Sequence, residues 1–295
     1  MSRPSVSVIV PCAGSAAELG DVVRRFAALP RERDDELIVV DNSAHGAAVQ
    51  APGGVRVVHA GDVASPGYAR NAGAACARGE WLVFCDADTE PEGGLLESYF
   101  QPSPGDRTAI LAGGVRDHPE GDSLAARLAR ATDAMSQQAT LANPYMPYAI
   151  TANVAVRRDA FEQAGGFEGT IKAGAEDADL CWRLQRAGWT LEQRPRAVVL
   201  HRNRPTMRAL WRQRALHGAG ADWLAHRYPG SMPRWGALAL MRSSAGRLAA
   251  AARALLVARD RQRAALELAI VSGWWAYELG RRTSNEAVRR GAPAS

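Results

Sequence analysis

Short apolar runs and amphipathic stretches alternate through the first hundred residues. Apolar runs bounded by turn formers are typical of buried strands, and apolar positions spaced three or four apart are typical of helices. The predicted strands are Val6–Val10, Glu36–Val40, Val55–His59 and Trp81–Cys85, and the predicted helices are Ala16–Leu29, Pro66–Arg78 and Glu92–Phe100. This alternation predicts an α/β fold with a mostly parallel sheet covered by helices.

The pattern changes after Arg107 and becomes mainly helical towards the end of the chain. Further strands are predicted at Ala109–Val115, Ile150–Val156, Trp189–Leu191 and Ala197–Leu200, and helices at Ser123–Leu141, Arg158–Ala164 and Glu176–Ala187. A glycine-rich loop covers 165–174, and beyond Thr206 we predict helix to the end with a break near Pro229.

Polar or turn-forming residues follow three of the early strands, at Pro11 to Gly14, Asp41 to Ser43 and Asp86 to Asp88. Open α/β sheets bind ligands in the crevice outside the carboxyl ends of their strands. Two carboxylates one residue apart after a buried strand repel each other unless a cation lies between them. The sequence therefore predicts a nucleotide-sized site with a divalent cation held by Asp86 and Asp88.

A second acidic group, Glu176 and Asp177 followed by Asp179, begins a predicted helix. Carboxylates are favoured at helix N-termini, so a capping role is one interpretation. Three acids exceed what capping requires, and the neighbouring glycines indicate a loop that closes over a substrate. We therefore consider a general base here as well.

Composition narrows the class of protein. The chain has 295 residues, and no apolar stretch reaches the roughly 18 residues that a membrane span needs. Its N-terminus does not resemble a secretory signal, and its four cysteines are scattered without metal-binding spacing, so we expect a cytoplasmic protein. Residues 232–295 hold eleven Arg against four acids, an excess of seven in a chain whose net charge is +5.

Five motifs together resemble those of family 2 glycosyltransferases, in the order seen in that family. They are Val6–Pro11, Leu37–Asn42, Ala69–Gly73, the Asp86-Ala87-Asp88 triplet and Gly174–Leu184. The resemblance covers roughly residues 5–228. It implies the GT-A fold, a mixed sheet flanked by helices, here with a C-terminal helical extension.

The resemblance also implies an activity: inverting transfer of a sugar from a nucleoside diphosphate to a hydroxyl acceptor, with Mn²⁺ or Mg²⁺ as cofactor. Asp177 would be the general base and Glu176 would orient the acceptor. Asp88, Asp86 and His201 would hold the metal. The donor nucleotide, with a UDP-sugar favoured, would contact a set of residues that comprises Pro11, Ala13, Asp41, Arg70, Asn71, Asp86, Ala87, Arg202 and Arg204.

Simpler roles remain open for several of these residues. Arg70 could be a surface helix arginine, Asp41 a turn aspartate and His201 a structural histidine. The sequence also departs from the family after Pro11, where Ala13 and Gly14 replace an aromatic residue and an asparagine. The resemblance implies that Asp41 and the residues after the first strand recognise the base, so these departures leave the identity of the nucleotide open.

The predicted domains are a catalytic domain, residues 1–231, and an Arg-rich helical extension, residues 232–295. Within the first, residues 1–105 would bind the nucleotide and residues 106–231 the acceptor, which could be a glycan, a lipid-linked molecule or a small natural product. No nucleic-acid partner is expected. The C-terminal helices could lie on the inner face of an anionic membrane, or pack on the catalytic domain or form a dimer interface, which their Ala-rich faces favour.

Two other functions compete with glycosyl transfer. The Asp86-Ala87-Asp88-Thr89 sequence also fits the signature of haloacid-dehalogenase-like phosphohydrolases, with Asp86 as nucleophile. That mechanism needs a later lysine on its own element, and Lys172, the only lysine, is four residues from Glu176. A non-catalytic protein that binds sugar nucleotides is the second alternative. NAD-dependent oxidoreduction is disfavoured because no Gly-x-Gly-x-x-Gly follows the first strand.

Overall fold

Residues 3–290 are described by the computed structural model, and in this part of the chain the strands form one eight-stranded mixed sheet. The strands are β1 (Val6–Cys12), β2 (Glu36–Asp41), β3 (Val55–His59), β4 (Trp81–Cys85), β5 (Thr89–Pro91), β6 (Thr108–Asp117), β7 (Asn153–Arg157) and β8 (Thr190–His201). Their order is β3-β2-β1-β4-β7-β6-β8-β5. The first four are parallel, whereas β7 is antiparallel to β4 and β6, and β5 is antiparallel to β8.

Helices flank the sheet and fill the C-terminal part of the chain. They are α1 (Ala16–Ala27), α2 (Pro66–Ala75), α3 (Leu95–Tyr99), α4 (Leu124–Ala131), α5 (Gln137–Leu141), α6 (Arg158–Gln163), α7 (Glu176–Arg186), α8 (Met207–Arg227), α9 (Ala237–Leu256) and α10 (Arg261–Gly280). The predicted fold class, a mixed α/β sheet flanked by helices with a helical C-terminal part, is confirmed.

The central strands are apolar because both of their faces are covered. All residues of β2 and β4 are buried. Trp81, Val83 and Cys85 point into the core on the α1 side, and Leu82 and Phe84 point into the core on the α2 side. Such strands are continuous apolar runs rather than alternating ones, so they were readily predicted from the sequence.

The described residues form two compact units. Residues 3–116, 136–201 and 286–290 form the first, which contains the sheet, and residues 117–135 and 202–285 form the second. The predicted domain boundary after residue 231 does not separate these units, and the division into domains stays a prediction.

The predicted long helix Ser123–Leu141 is wrong, because two shorter helices occupy this range. α4 ends at Ala131, and Asp133 then adopts a left-handed conformation with φ of 44°. Ser136 begins α5 as its N-cap, accepting a hydrogen bond from the Ala139 N–H at 3.1 Å. The apolar spacing continues through the break, so hydrophobic periodicity alone did not reveal it.

The two short strands predicted around Pro195 are one continuous strand, β8. A proline removes a ladder hydrogen bond and is tolerated where no neighbouring strand needs its N–H. Strand β5 pairs only with Val199, Leu200 and His201 of β8, so on that edge no strand needs a hydrogen bond from Pro195. Strand β5 itself was missed because it is only three residues long.

The tail contains more breaks than predicted. Arg259 has a φ of 53° and Asp260 caps α10, so α9 and α10 are separate helices. Residues 281–290 are not helical, which corrects the prediction of helix to the end of the chain. The last five predicted positions lie outside the described residues.

Candidate active site

A tight turn after β4 carries the paired acids. The backbone N–H and the hydroxyl of Thr89 both donate to the Asp86 carbonyl, at 3.1 and 2.7 Å. Thr89 is then paired with His201 across β5 and β8. This register brings Asp88 Oδ1 to 3.6 Å from His201 Nε2.

The possible metal-ligating groups at this turn, the Asp88 carboxylate and the His201 imidazole, fit a divalent cation that binds together with a nucleotide. Carboxylate and imidazole both suit manganese, and the buried Nδ1 of His201 has no hydrogen-bond partner in the described part of the chain. Among residues 3–290, no three His, Cys, Asp or Glu side chains form a cluster that could hold a metal alone. Asp88 and His201 would therefore leave most coordination positions to other ligands, such as diphosphate oxygens and water.

Arg70 of α2 connects the acidic turn to α7. Its Nη2 donates to Asp86 Oδ1 at 2.6 Å and its Nη1 donates to Glu176 Oε1 at 3.1 Å. The side chain is buried, and its guanidinium carbon lies 5.6 Å from the centre of the Phe167 ring. Asp86 thus contacts a guanidinium, so it is neutralised without an ion. The predicted roles of Arg70 at the nucleotide and of Asp86 at a metal stay predictions.

The neighbouring Asn71 fixes the start of the glycine-rich loop. Its amide donates to the Phe167 carbonyl at 2.8 Å and accepts from the Phe167 N–H at 2.9 Å. Gly166 has a φ of 72°, and a Cβ there would lie 2.7 Å from Asn71 Oδ1, so only glycine fits. The predicted nucleotide contact of Asn71 remains a prediction, and its observed role is to hold this loop.

Two carboxyl groups begin α7 in different surroundings. Glu176 pairs with Arg70 and accepts from the Ala175 N–H at 3.0 Å. Asp177 accepts from the Ala178 N–H at 2.8 Å. Burial, and then the negative charge of Glu176, raise the pKa of Asp177 to about 7, against the opposing effects of the Ala178 N–H and Arg70. A carboxylate of this kind is basic enough to accept a proton near neutral pH.

The predicted base-recognition residues lie at the ends of β1 and β2. Both carboxylate oxygens of Asp41 accept backbone hydrogen bonds, from Ser43 at 2.8 Å and Ala47 at 2.6 Å. Pro11 is paired with Val40 inside β1 rather than following the strand as predicted, and Ala13 is exposed just beyond β1. Contacts of these residues with a base stay predictions.

Ala87, between the paired acids, is held through its backbone. Arg25 of α1 donates from Nη2 to the Ala87 carbonyl at 2.9 Å. Arg25 was not predicted as a site residue, because nothing in the spacing of Arg25 and Ala87 indicates this contact. The acidic turn is thus fixed from α1 as well as from α2.

Residues 286–290, which we call the C-terminal strap, cross two loops of the first unit. The Ala287 N–H donates to Thr170 O and the Arg290 N–H donates to Asp62 O, both at 2.7 Å. The Arg290 guanidinium donates to the carbonyls of Asn42 at 2.7 Å and Gly61 at 3.0 Å. This contact was not predicted, since the strap lies more than two hundred residues from Asn42 along the chain.

Arg202 and Arg204, two of the predicted donor contacts, lie in the loop between β8 and α8. Both belong to the second compact unit, where Arg202 is exposed and Arg204 is half-buried. Their contact with the donor stays a prediction.

Within residues 3–290, no helix is sufficiently long and apolar to span a bilayer.

Comparison with solved structures places the fold in the GT-A class of nucleotide-sugar transferases. A mannosyltransferase from Pyrobaculum calidifontis, solved with GDP-Man and Mn²⁺, aligns with a TM-score of 0.59 and 20% identity over 93% of this chain and 88% of its own. Glucosyl-3-phosphoglycerate synthase from Mycobacterium tuberculosis, solved with Mn²⁺, UDP and its product, aligns with a TM-score of 0.53 and 21% identity over 79% of this chain and 82% of its own.

The sequence assigns the family within that class. The model of the family described as "Glycosyl transferase family 2" matches residues 7–165, more than half of the chain. The chain therefore belongs to glycosyltransferase family 2, which confirms the family predicted from its motifs and leaves the phosphohydrolase alternative without support. It is 30% identical over 282 residues to the pre-mycofactocin glycosyltransferase of Mycobacterium tuberculosis. The match covers 89% of this chain but only 58% of that relative's length.

Proposed function

We propose that this protein transfers a sugar from a nucleoside diphosphate to a hydroxyl group, with inversion at the anomeric carbon. Asp177 is the general base that removes the acceptor proton. The observation that carries this proposal is the surroundings of Asp177, which raise the pKa of its carboxyl group to about 7 at the start of α7. A base acting directly on the acceptor implies a single displacement and hence inversion.

Glu176 and Arg70 position the base. Arg70 neutralises Glu176 and links it to Asp86 of the acidic turn. This link supports a common location for the base and the donor site, because a buried guanidinium joins α7 to the turn that carries Asp88. Glu176, whose Oε1 accepts from Arg70 and whose Oε2 accepts from the Ala175 N–H, orients the acceptor in this proposal.

Asp88 and His201 hold the divalent cation in this proposal. When bound, the cation would stabilise the negative charge that develops on the departing diphosphate. Mn²⁺ is the first ion to test, since it accompanies the nucleotide in both fold relatives named above. Arg202 and Arg204, which follow His201 in the sequence, are the proposed diphosphate contacts.

The donor we favour is a UDP-sugar, and the acceptor is a hydroxyl-bearing small molecule or glycan. The solved relatives hold GDP-Man or UDP, so both nucleotides belong in the experiment. Pre-mycofactocin is an acceptor to test because the 30% identical relative is named for it.

The test combines donor binding with single-turnover transfer. Thermal-shift measurements should show stabilisation by UDP that requires Mn²⁺, and Asp88→Ala should abolish this metal dependence. Asp177→Asn should bind the donor like the wild type but lose transfer by about 10²- to 10⁴-fold.

Asp34→Asn is the control, because Asp34 is an exposed carboxylate outside the site. It should keep both donor binding and transfer. Normal transfer by Asp177→Asn would show that the base is another residue, and stabilisation by UDP that is unaffected by a chelator would exclude the proposed metal site.

A further inference from the structure

One side of α9 is buried against neighbouring residues, among them Trp275 of α10. Leu240, Ser244, Ala251 and Ala254 are buried. Trp275 of α10 donates from its indole N–H to Ser244 Oγ at 3.1 Å. These contacts fix the rotation of α9 about its axis.

Next to this packed side, α9 presents an apolar stripe to solvent. Leu238, Met241, Leu248 and Leu255 recur at spacings of three and seven residues and are 66%, 52%, 48% and 45% exposed. The stripe ends in the most exposed apolar pair of the chain's described part, Leu256 at 80% and Val257 at 75%. We call these six residues the α9 face. Large apolar side chains that are exposed together along one helix and at its C-terminal end mark an interaction surface.

Positive charge borders the α9 face, and α9 contains no acidic residue. The exposed arginines around it are Arg242, Arg253, Arg259, Arg261 and Arg263. The only acid between residues 234 and 263 is Asp260, whose carboxylate accepts the Arg263 N–H at 2.9 Å as the cap of α10. The partner of this surface must therefore be apolar and negatively charged.

We propose that the α9 face binds an anionic lipid surface, with Leu255, Leu256 and Val257 inserted at the boundary between headgroups and acyl chains. A helix with an apolar face, bordering arginines and no acids is suited to lie in the plane of such an interface. Anionic lipids attract each nearby arginine by about 1 kcal/mol. A second copy of the chain is a poorer occupant, because its own arginines would oppose these.

The experiment is co-sedimentation of the full chain with vesicles of phosphatidylcholine alone and of phosphatidylcholine with about one third phosphatidylglycerol. The chain should bind the second vesicles, and binding should weaken as salt is raised. The double variant Leu256→Gln, Val257→Gln should lower partitioning about tenfold or more. Arg253→Gln with Arg261→Gln should lower it about fivefold for each arginine.

Leu279→Gln is the matched control, since Leu279 is 55% exposed on α10 and lies outside the α9 face. It should bind vesicles like the wild type. Equal binding to both vesicle types, or none to the anionic vesicles at low salt, would overturn the proposal. So would a wild-type dimer in analytical ultracentrifugation that the double variant converts to monomer without any vesicle binding. Donor binding, measured in parallel, reports on the proposed enzymatic function separately, because it does not involve the α9 face.

Discussion

Glu176 and Asp177 are adjacent in the sequence and have opposite electrostatic surroundings. Glu176 is paired with the buried Arg70 at 3.1 Å. Asp177 has a raised pKa because burial and the charge of Glu176 both oppose its ionisation. Neighbouring carboxyl groups whose environments differ in this way are suited to different tasks. In the proposed reaction Glu176 positions the acceptor, while Asp177 accepts its proton.

The raised pKa of Asp177 predicts a stability effect with a definite pH dependence. Between the unfolded pKa of 3.8 and the folded pKa of about 7, the folded chain keeps a proton on Asp177 that the unfolded chain has lost, so the free energy of unfolding falls as pH rises through this range. Asp177→Asn should therefore stabilise the protein at pH 8, by up to about 3 kcal/mol, and have little effect near pH 4. Urea unfolding of both proteins at the two pH values measures this, and an equal effect at both would contradict it.

Removing the Arg70 side chain should be strongly destabilising. Arg70→Ala would leave Asp86 and the buried Glu176 without their shared cation, which costs about 3 to 5 kcal/mol for a buried pair. Arg24→Ala is the control, because Arg24 pairs with Asp21 at the surface and such pairs contribute about 1 kcal/mol or less. Denaturant unfolding should separate the two variants clearly, and similar losses would show that the Arg70 link contributes little.

At the scale of secondary-structure elements, the sequence predicts those bounds that local residue patterns determine. Strands β3 and β4 have the predicted bounds because apolar runs and turn residues delimit them. The break between α4 and α5 depends on the backbone conformation of Asp133. The continuity of β8 depends on where β5 pairs with it. Hydrophobic spacing reports neither feature.

The same distinction applies to the candidate site. Its acids were predicted because they follow a buried strand and begin a helix, which are local features. The link from Arg70 to Glu176 spans 106 residues of sequence, so only the folded chain reveals it. The C-terminal strap was unpredictable for the same reason.

The C-terminal strap predicts a role for Arg290 in donor binding. Its guanidinium joins the carbonyls of Asn42 and Gly61, which follow β2 and β3 at the proposed base-recognition edge. Arg290→Ala should loosen these loops and raise the Kd for UDP by about tenfold, as expected for two charge-assisted hydrogen bonds. Arg289→Ala is the control, because the neighbouring Arg289 side chain is exposed. Titration calorimetry compares the two, and equal affinities would contradict the role of Arg290.

For the whole molecule, the net charge of +5 hides a strong separation of charge. The second compact unit, residues 117–135 and 202–285, contains 17 Arg against 8 acids. The rest of the chain contains 19 Lys and Arg against 23 acids and is therefore negative overall. The tail's positive excess, recognised from the sequence, is thus part of a larger basic unit. This separation is consistent with a basic unit that meets anionic lipid through the α9 face.

The topology of the sheet has a consequence for synthesis of the chain. The parallel half, β3-β2-β1-β4, is complete at residue 85, whereas β4 gains its second neighbour only with β7 at Asn153–Arg157. β5 acquires its partner only when β8 has emerged from the ribosome. Because pairing of distant strands is slow and leaves edges open meanwhile, the nascent N-terminal half exposes one side of β4 during translation, and this is the stage at which chaperone binding would matter most.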